Sequence, residues 1–370
     1  MNELRIIALL GRRDEPTDAV EEYCRYLGGA LRDRGFAMEL VRVRWAERGW
    51  TSALRELREK AHAWNGKWVL LQYTALAWSA RGFPLGFLRV VKELRDSGAQ
   101  VAIVYHDVEP FTDRRWIDAI RRRVQLRVMQ KTLKVANLGI FTVPLDVISW
   151  LDKSHSSATF IPVGANLPVE HFVAAKSGET EQTPLRVVVF GITEGDTGRK
   201  ECARIVEAVG FAAARGGAVR LHAFGRGALE CESELRKALK DVAVELHVEG
   251  VLPAEQVVEA LSSSDVMLFV RAPISSRRGS AIAGIACGLP VIAYSGTETA
   301  PPITEAGILL VSPGNNAELG EALLRVMSDA PFRESLAERS RQAQRNHFSW
   351  EAIAERYVEA LRQQEKDSPA

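Results

Sequence analysis

The sequence predicts an α/β protein of two doubly wound parallel sheets. Apolar runs of strand length alternate with helical periodicities, the alternation occurs twice, and a polar segment bracketed by prolines separates the two rounds. At 370 residues the chain exceeds the usual size of one domain. Two domains of about 150 to 180 residues are the natural division.

In the first round, 4–10 reads as a buried strand, 11–17 as a polar loop and 19–34 as an amphipathic helix closed by Gly35. Strands follow at 38–43, 69–72, 101–105 and 138–143, with a short one at 159–162. Trp64, Trp68 and Trp78 read as core rather than as a carbohydrate platform. The segment from Pro168 to Pro184 lacks periodicity and reads as a linker. In the second round the strands are 185–190, 219–224, 244–248, 266–270, 291–294 and 308–311. Open α/β sheets bind ligands at the carboxyl ends of their strands, so a cleft faced by the two sheets is where a site is expected.

A hydrophobic fraction of 46%, a charged fraction of 26% and a net charge of +1 describe a folded protein without global attraction to nucleic acid or anionic membrane. Cys24, Cys202, Cys231 and Cys287 have no metal-ligand spacing and read as reduced, buried thiols, so no metal is expected. His155, His171, His222, His247 and His347 read as structural or surface residues. No apolar run approaches the length needed to cross a bilayer, and a cytoplasmic location is the default expectation.

Four stretches of the second half carry a family resemblance: Gly250 to Leu261, Ser264 to Val270, Gly284 to Ala293 with its Ala286-Cys287-Gly288 turn, and Gly307 to Gly314. Their order and spacing resemble the donor domain of family-four GT-B glycosyltransferases. The ending, Phe348 to Tyr357, is similar to that family's closing helix, and Thr17 to Tyr23 and Tyr105 to Pro110 are similar to its acceptor-domain loops. The resemblance implies a GT-B fold with an acceptor domain at 1–167, a linker at 168–184 and a donor domain at 185–347. A helix at 348–370 is then expected to return to the first domain. It also implies transfer of a sugar from a nucleotide-sugar donor, UDP- or GDP-linked, to a glycan or lipid-linked hydroxyl acceptor. Retention at the anomeric carbon and no obligatory metal or cofactor come with it.

The residues supply physical reasons of their own. The loop from Gly191 to Gly198 follows a strand and precedes a helix near Arg199 and Lys200, so amide groups and two cations converge where a diphosphate fits; a plain tight turn with a solvated Arg-Lys pair is the other reading. Arg277, Arg278, Gly279 and Ser280 open the helix that leads to Cys287, and cations at a helix N-terminus are unfavourable unless an anion joins them. Val251 and Leu252 fall where the resemblance places contacts to the donor nucleoside. The family usually carries two glutamates eight positions apart in this region, and the aligned positions here are Ser275 and Ala283. A serine hydroxyl still offers a sugar a hydrogen bond, whereas an alanine offers a ribose nothing. Three outcomes follow: an active enzyme with its clamp shifted onto Arg277 and Arg278, an altered donor, or a catalytically degenerate binding partner.

At the end of the strand 101–105, His106 and Asp107 are the candidates to orient or deprotonate an acceptor hydroxyl, or His106 to hydrogen-bond the donor sugar, against the reading that His106 closes a turn. Gly11, Arg12 and Asp18 are expected at the acceptor, Asp18 being equally suited to cap its helix. From Arg114 to Lys134 eight basic residues accompany one acid, with Ile117, Ile120, Val124 and Val128 at helical spacing. A helix of that kind either lies on an anionic membrane or buries its stripe in the core and leaves its arginines solvated. Nucleic acid is not an expected partner, because no aromatic platform beyond Trp116 interleaves the cations. A nicotinamide enzyme is disfavoured, because neither first strand-to-helix turn reads G-x-G-x-x-G.

Overall fold

In a computed structural model of the chain, residues 4–15, 17–111, 116–152, 157–169 and 184–367 are described. The chain divides into two compact units, one made of 1–162 with 350–370 and the other of 163–349. Of the linker expected over 168–184, residues 170–183 lie outside the described residues, as do Arg114, Arg115, His155 and His171.

The first unit's sheet contains β1 (Leu4–Leu10), β2 (Phe36–Arg42), β3 (Trp68–Tyr73), β4 (Gln100–Tyr105), β5 (Leu138–Phe141) and β6 (Ala158–Phe160). They are ordered β2-β1-β3-β4-β5-β6, all parallel. Every residue of β3 is buried, as expected of a parallel strand covered on both faces. Helix α1 (Ala19–Arg32) shows how local sequence sets an element. Asp18 caps it by accepting from the N–H groups of Val20 and Glu21, Glu21 and Glu22 favour its first turn, and Arg32 favours its last. Its stripe of Tyr23, Cys24, Leu27 and Leu31 is buried, and Gly35, at φ +83°, turns the chain into β2. The unit also holds α2 (Trp45–Ala61), α3 (Leu85–Asp96), α4 (Trp116–Val135) and, from the end of the chain, α11 (Trp350–Asp367). Trp350 stacks on Tyr26, and the Tyr23 and Tyr357 hydroxyls meet at 2.8 Å. Trp64, Trp68 and Trp78 are all buried.

The buried face of α4 differs from the expected apolar stripe. Val128 is buried and Val124 packs against the core as expected, but Ile120 is exposed, and Asp118, Gln125, Met129, Thr132 and Leu133 join the buried face. The polar members of this face have local partners, although Oδ2 of Asp118 is buried without a hydrogen bond. Gln125 accepts from the Phe111 N–H at 2.8 Å and donates to the Gly82 carbonyl at 2.9 Å, while Asp118 pairs with Arg121. Arg121 also donates to the Arg81 carbonyl and lies over the rings of Phe83 and Phe111, so it belongs to the fold rather than to a free basic surface.

The second unit's sheet holds β7 (Leu185–Phe190), β8 (Val219–Phe224), β9 (Val244–Val248), β10 (Val266–Phe269), β11 (Val291–Tyr294) and β12 (Ile308–Val311). The order is β12-β11-β10-β7-β8-β9, again all parallel. Helices α5 (Gly195–Gly216), α6 (Ala228–Ala238), α7 (Ala254–Ser262), α8 (Gly279–Ala286), α9 (Asn316–Ser328) and α10 (Ala330–Ala343) complete it. The four cysteines carry free thiols, and burial raises that of Cys287 to about 11, so none is a ready nucleophile. No described helix is long and apolar enough to cross a membrane.

Candidate functional site

Each sheet reverses its strand order once, between β1 and β3 in the first unit and between β7 and β10 in the second. Such a reversal opens a crevice at the carboxyl ends of the two strands.

In the first unit the crevice holds a cavity of about 250 Å³ whose walls include Gly11, Arg12, Asp18, Arg42, Thr74 and Asp107. Gly11 is required by contact, since a Cβ there would stand 2.3 Å from the Ala77 carbonyl oxygen. Its own carbonyl accepts from Arg42 at 2.7 Å. Arg42 also bridges Asp18 at 3.0 Å and Glu21 at 2.6 Å, so Asp18 is at once helix cap, ion-pair partner and cavity wall. Arg12 is exposed at the mouth. Asp107 accepts from the Ala75 N–H at 2.7 Å, which ties together the loops after β3 and β4. His106 is held between Gln72, whose side-chain oxygen is 2.8 Å from its Nε2, and the edge of the Tyr23 ring.

In the second unit the loop after β7 is fastened from three sides. Gly191, at φ +80°, donates to the Phe224 carbonyl at 2.7 Å, and Ile192 donates to the Arg226 carbonyl at 2.9 Å. Glu201, buried on α5, accepts from both the N–H and the hydroxyl of Thr193, at 2.7 and 2.8 Å. Burial raises the pKa of Glu201 despite those bonds. At Gly198 a Cβ would fall 1.8 Å from the Thr193 carbonyl oxygen, so glycine lets α5 touch the loop backbone. Arg199 is 67% exposed and paired with Asp196; Lys200 is exposed beside it.

Two residues that the sequence reading passed over alter this site. Arg271, just beyond β10, places its guanidinium 3.4 Å from where a Cβ of Gly191 would stand, bringing a cation over the loop from the adjacent strand. Its signal was a cation directly after the apolar run 266–270. The second residue is Glu298, which receives both Nε and Nη2 of Arg277, at 2.7 and 2.9 Å. Burial works to raise the pKa of Glu298, but Arg277 and the charge of Arg278 outweigh it and hold the carboxyl below its usual 4.5. The anion required by the cations at the start of α8 is therefore internal, and Arg277 is committed to it rather than poised as a clamp. Ser275 is wholly buried beside Glu298 and exposes no hydroxyl, and Ala283 is buried in α8. Gly279 and Ser280 open that helix with nothing near a Gly279 Cβ, whereas Val251 is 55% exposed past β9 with Leu252 half-buried beside it.

Two parallel doubly wound sheets with these loops at their switch points define a protein of the GT-B fold. More particularly, residues 186–329 match the model of the family described as glycosyl transferases group 1, so the motif resemblance of the second half is shown. A mannosyltransferase of Corynebacterium glutamicum, the GDP-mannose-dependent monoacylated alpha-(1-6)-phosphatidylinositol monomannoside mannosyltransferase, is 27% identical over 139 residues. That match spans 35% of this chain and only 36% of the relative, about a third of its length. Among solved structures, sucrose-phosphate synthase from Thermosynechococcus elongatus is 22% identical with a TM-score of 0.70, covering 99% of this chain and 100% of its own. A glycosyltransferase from Rickettsia africae aligns over 100% of both chains at 12% identity and a TM-score of 0.71. Anabaena HepE in complex with UDP and glucose aligns over 97% of this chain and 100% of its own, at 14% identity and a TM-score of 0.65. At these identities the solved structures establish the fold.

Proposed function

We propose that this protein is a glycosyltransferase that takes a sugar from a nucleotide-sugar donor and passes it to a hydroxyl of a glycan or lipid-linked acceptor. The observation that carries the reading is the loop from Gly191 to Gly198, fixed at the switch point of the second sheet with Arg271 over it and Lys200 beside it. Departure of a nucleoside diphosphate builds negative charge, and preorganised amides and cations at that spot stabilise it. In this reading Gly191, with only Arg271 near the place of its missing side chain, leaves room for the diphosphate, Arg199, Lys200 and Arg271 hold it, and Val251 and Leu252 present an apolar edge to the base. Metal-independent chemistry with retention at the anomeric carbon belongs to the same proposal. His106 and Asp107, anchored by Gln72 and Ala75, orient the acceptor hydroxyl near the cavity that Gly11, Arg12 and Asp18 border. The relative named for GDP-mannose and the HepE structure holding UDP make GDP and UDP the donors to try first.

A thermal-shift and calorimetric screen with UDP, GDP and their sugar conjugates tests this, since a ligand that binds only the folded chain raises its stability. Removing Arg271 or Lys200 by alanine substitution is expected to weaken nucleoside-diphosphate binding by about 1.5 to 3 kcal/mol each. Arg199→Ala is expected to cost less, because Asp196 already shares that charge. Equal affinity in the Arg271 and Lys200 variants would remove both from the site. The absence of carboxylates at positions 275 and 283 favours a second reading, a degenerate homologue acting as a binding partner; failure of every nucleotide to bind selects it.

The acceptor side of the proposal includes peripheral contact with anionic membrane. On α4, Trp116, 77% exposed, and Ile120 lead a stripe that continues through Arg123, Arg127, Lys131 and Lys134, all exposed. An aromatic tip followed by cations suits a lipid interface, where each cation is worth about 1 kcal/mol. Changing Arg123, Arg127 and Lys131 to glutamine is expected to abolish co-sedimentation with phosphatidylserine vesicles. Sedimentation equal to that of the parent rejects the contact.

A further inference from the structure

His222 and His247 occupy paired positions in β8 and β9, which run parallel at the edge of the second sheet. Neighbouring strands lie about 4.8 Å apart and alternate residues share a face, so both imidazoles rise from one face and Glu249, two residues past His247, joins them. The contacts bear this out. One oxygen of Glu249 lies 2.8 Å from Nε2 of His222 and 3.1 Å from Nε2 of His247, and the two rings are 4.8 Å apart. One donor atom from each residue falls within 4.8 Å of the other two.

We propose that His222, His247 and Glu249 form a binding site for a divalent transition-metal ion of the zinc class, with a coordination position left open. Two imidazole nitrogens and a carboxylate oxygen are the donor set of three-ligand zinc sites, with bonds of about 2.0 to 2.2 Å. Tetrahedral geometry at those bond lengths separates donors by roughly 3.3 Å, inside the spread the three atoms already show, so closure on an ion requires side-chain rotation alone. The frame that carries them is rigid: two donors stand in a paired ladder, and the Glu249 N–H donates to the Ala223 carbonyl at 2.9 Å. His222 is 21% exposed, Glu249 37% and His247 61%, so an ion reaches the site from solvent. Arg220, two residues before His222 on the same face, is paired with Glu245 at 2.8 Å, which offsets its charge. Phe224 closes the other side, its ring 5.0 Å from that of His222. Neither a cysteine nor a histidine spacing announced the set, because its members meet across a sheet.

The ion's place gives it a structural consequence. Glu249 precedes Gly250, whose carbonyl accepts from the Gly225 N–H at 2.9 Å, so a metal here ties the loops after β8 and β9 to one point. The second of those loops carries Val251 and Leu252. The proposal stands on the three side chains and does not rest on the transferase reading.

The test uses the full chain without an affinity tag, stripped by chelator and titrated with Zn²⁺ by calorimetry and with Co²⁺ by visible absorption. One equivalent is expected, with the absorption of four-coordinate cobalt. Outer-shell changes at metal sites cost about 10- to 100-fold in affinity, so loss of a direct ligand in His247→Ala or Glu249→Gln is expected to cost at least that. Glu321→Gln, an exposed acid on α9 outside the set, is expected to leave affinity unchanged. Because His247 is mostly exposed, its substitution spares the fold, and an unaltered melting curve of the metal-free variant confirms it. No binding by the parent, or binding that survives both ligand substitutions, overturns the proposal.

Discussion

Replacing Glu298 with alanine is expected to destabilise the second unit by about 3 kcal/mol and to lower its melting midpoint by roughly 6 to 12 °C. The carboxylate receives two hydrogen bonds from Arg277, and the pair is shielded, with side-chain exposures of 20% and 15%. Removing the acid takes from Arg277 the carboxylate that receives two of its hydrogen bonds at the positive end of α8, and breaking a shielded ion pair on one side is costly. Replacing both partners, Arg277→Met with Glu298→Met, is expected to recover most of the loss, because the desolvation cost vanishes along with the attraction. The cycle of Arg277→Met, Glu298→Met and the double variant isolates the coupling. Acidity supplies a second readout. The Glu298 pKa in the fold lies below its usual 4.5, so its contribution is fully present above that value and is lost as pH falls through the folded pKa. The parent should therefore lose part of its advantage over Glu298→Ala on acidification. A midpoint unmoved by Glu298→Ala at neutral pH would show that the pair stabilises nothing.

This pair also shows where the sequence was silent. Strands β1, β7, β8, β9, β11 and β12 begin and end where the sequence places them; for β7 and β11 this is because a parallel strand buried on both faces leaves a continuous hydrophobic signature, whereas the edge strand β9 alternates exposed Glu245 and His247 with half-buried apolar residues. The edge strand β2 was misjudged at its start, since its exposed Glu39 and Leu40 blur that signature. Periodicity read α4 only in part: Val124 and Val128 pack inward as expected, but Asp118, Gln125 and Thr132 share the buried face, and a hydrophobic pattern cannot register polar residues held by Arg121, Gly82, Phe111 and the helix's own carbonyls. In the candidate site the glycines and cations were visible as local motifs, whereas their partners were not. Glu298 is 21 positions from Arg277, and Arg271 approaches Gly191 only because β10 lies beside β7. His222 and His247, 25 positions apart in the chain, face each other through strand register. Cations announce themselves in sequence; what neutralises or joins them is a property of topology.

Gly198→Ala is expected to disable the loop after β7, with a loss of about 100-fold in any sugar transfer that the loop supports, while Gly279→Ala leaves its helix intact. Both glycines lie in the first turn of a helix, and by propensity alone alanine gains up to about 1 kcal/mol at either. Contact decides between them. A methyl at Gly198 meets the Thr193 carbonyl oxygen at 1.8 Å and its carbon at 2.9 Å, atoms of the backbone that no rotamer moves, whereas nothing lies within 4 Å of one at Gly279. Relief requires α5 and the loop to part, at about 1 to 3 kcal/mol or more, which exceeds the propensity gain. The loop cannot yield alone, since Glu201 grips Thr193 and the Arg226 carbonyl holds Ile192. Moving Thr193 therefore drags Gly191 and the start of α5, where the proposal places the diphosphate, and a displacement near 1 Å costs about 100-fold in catalysis. Nucleoside-diphosphate titrations and melts of both variants decide the matter. If Gly198→Ala binds as tightly as the parent and melts no lower, the loop is not the phosphate cradle.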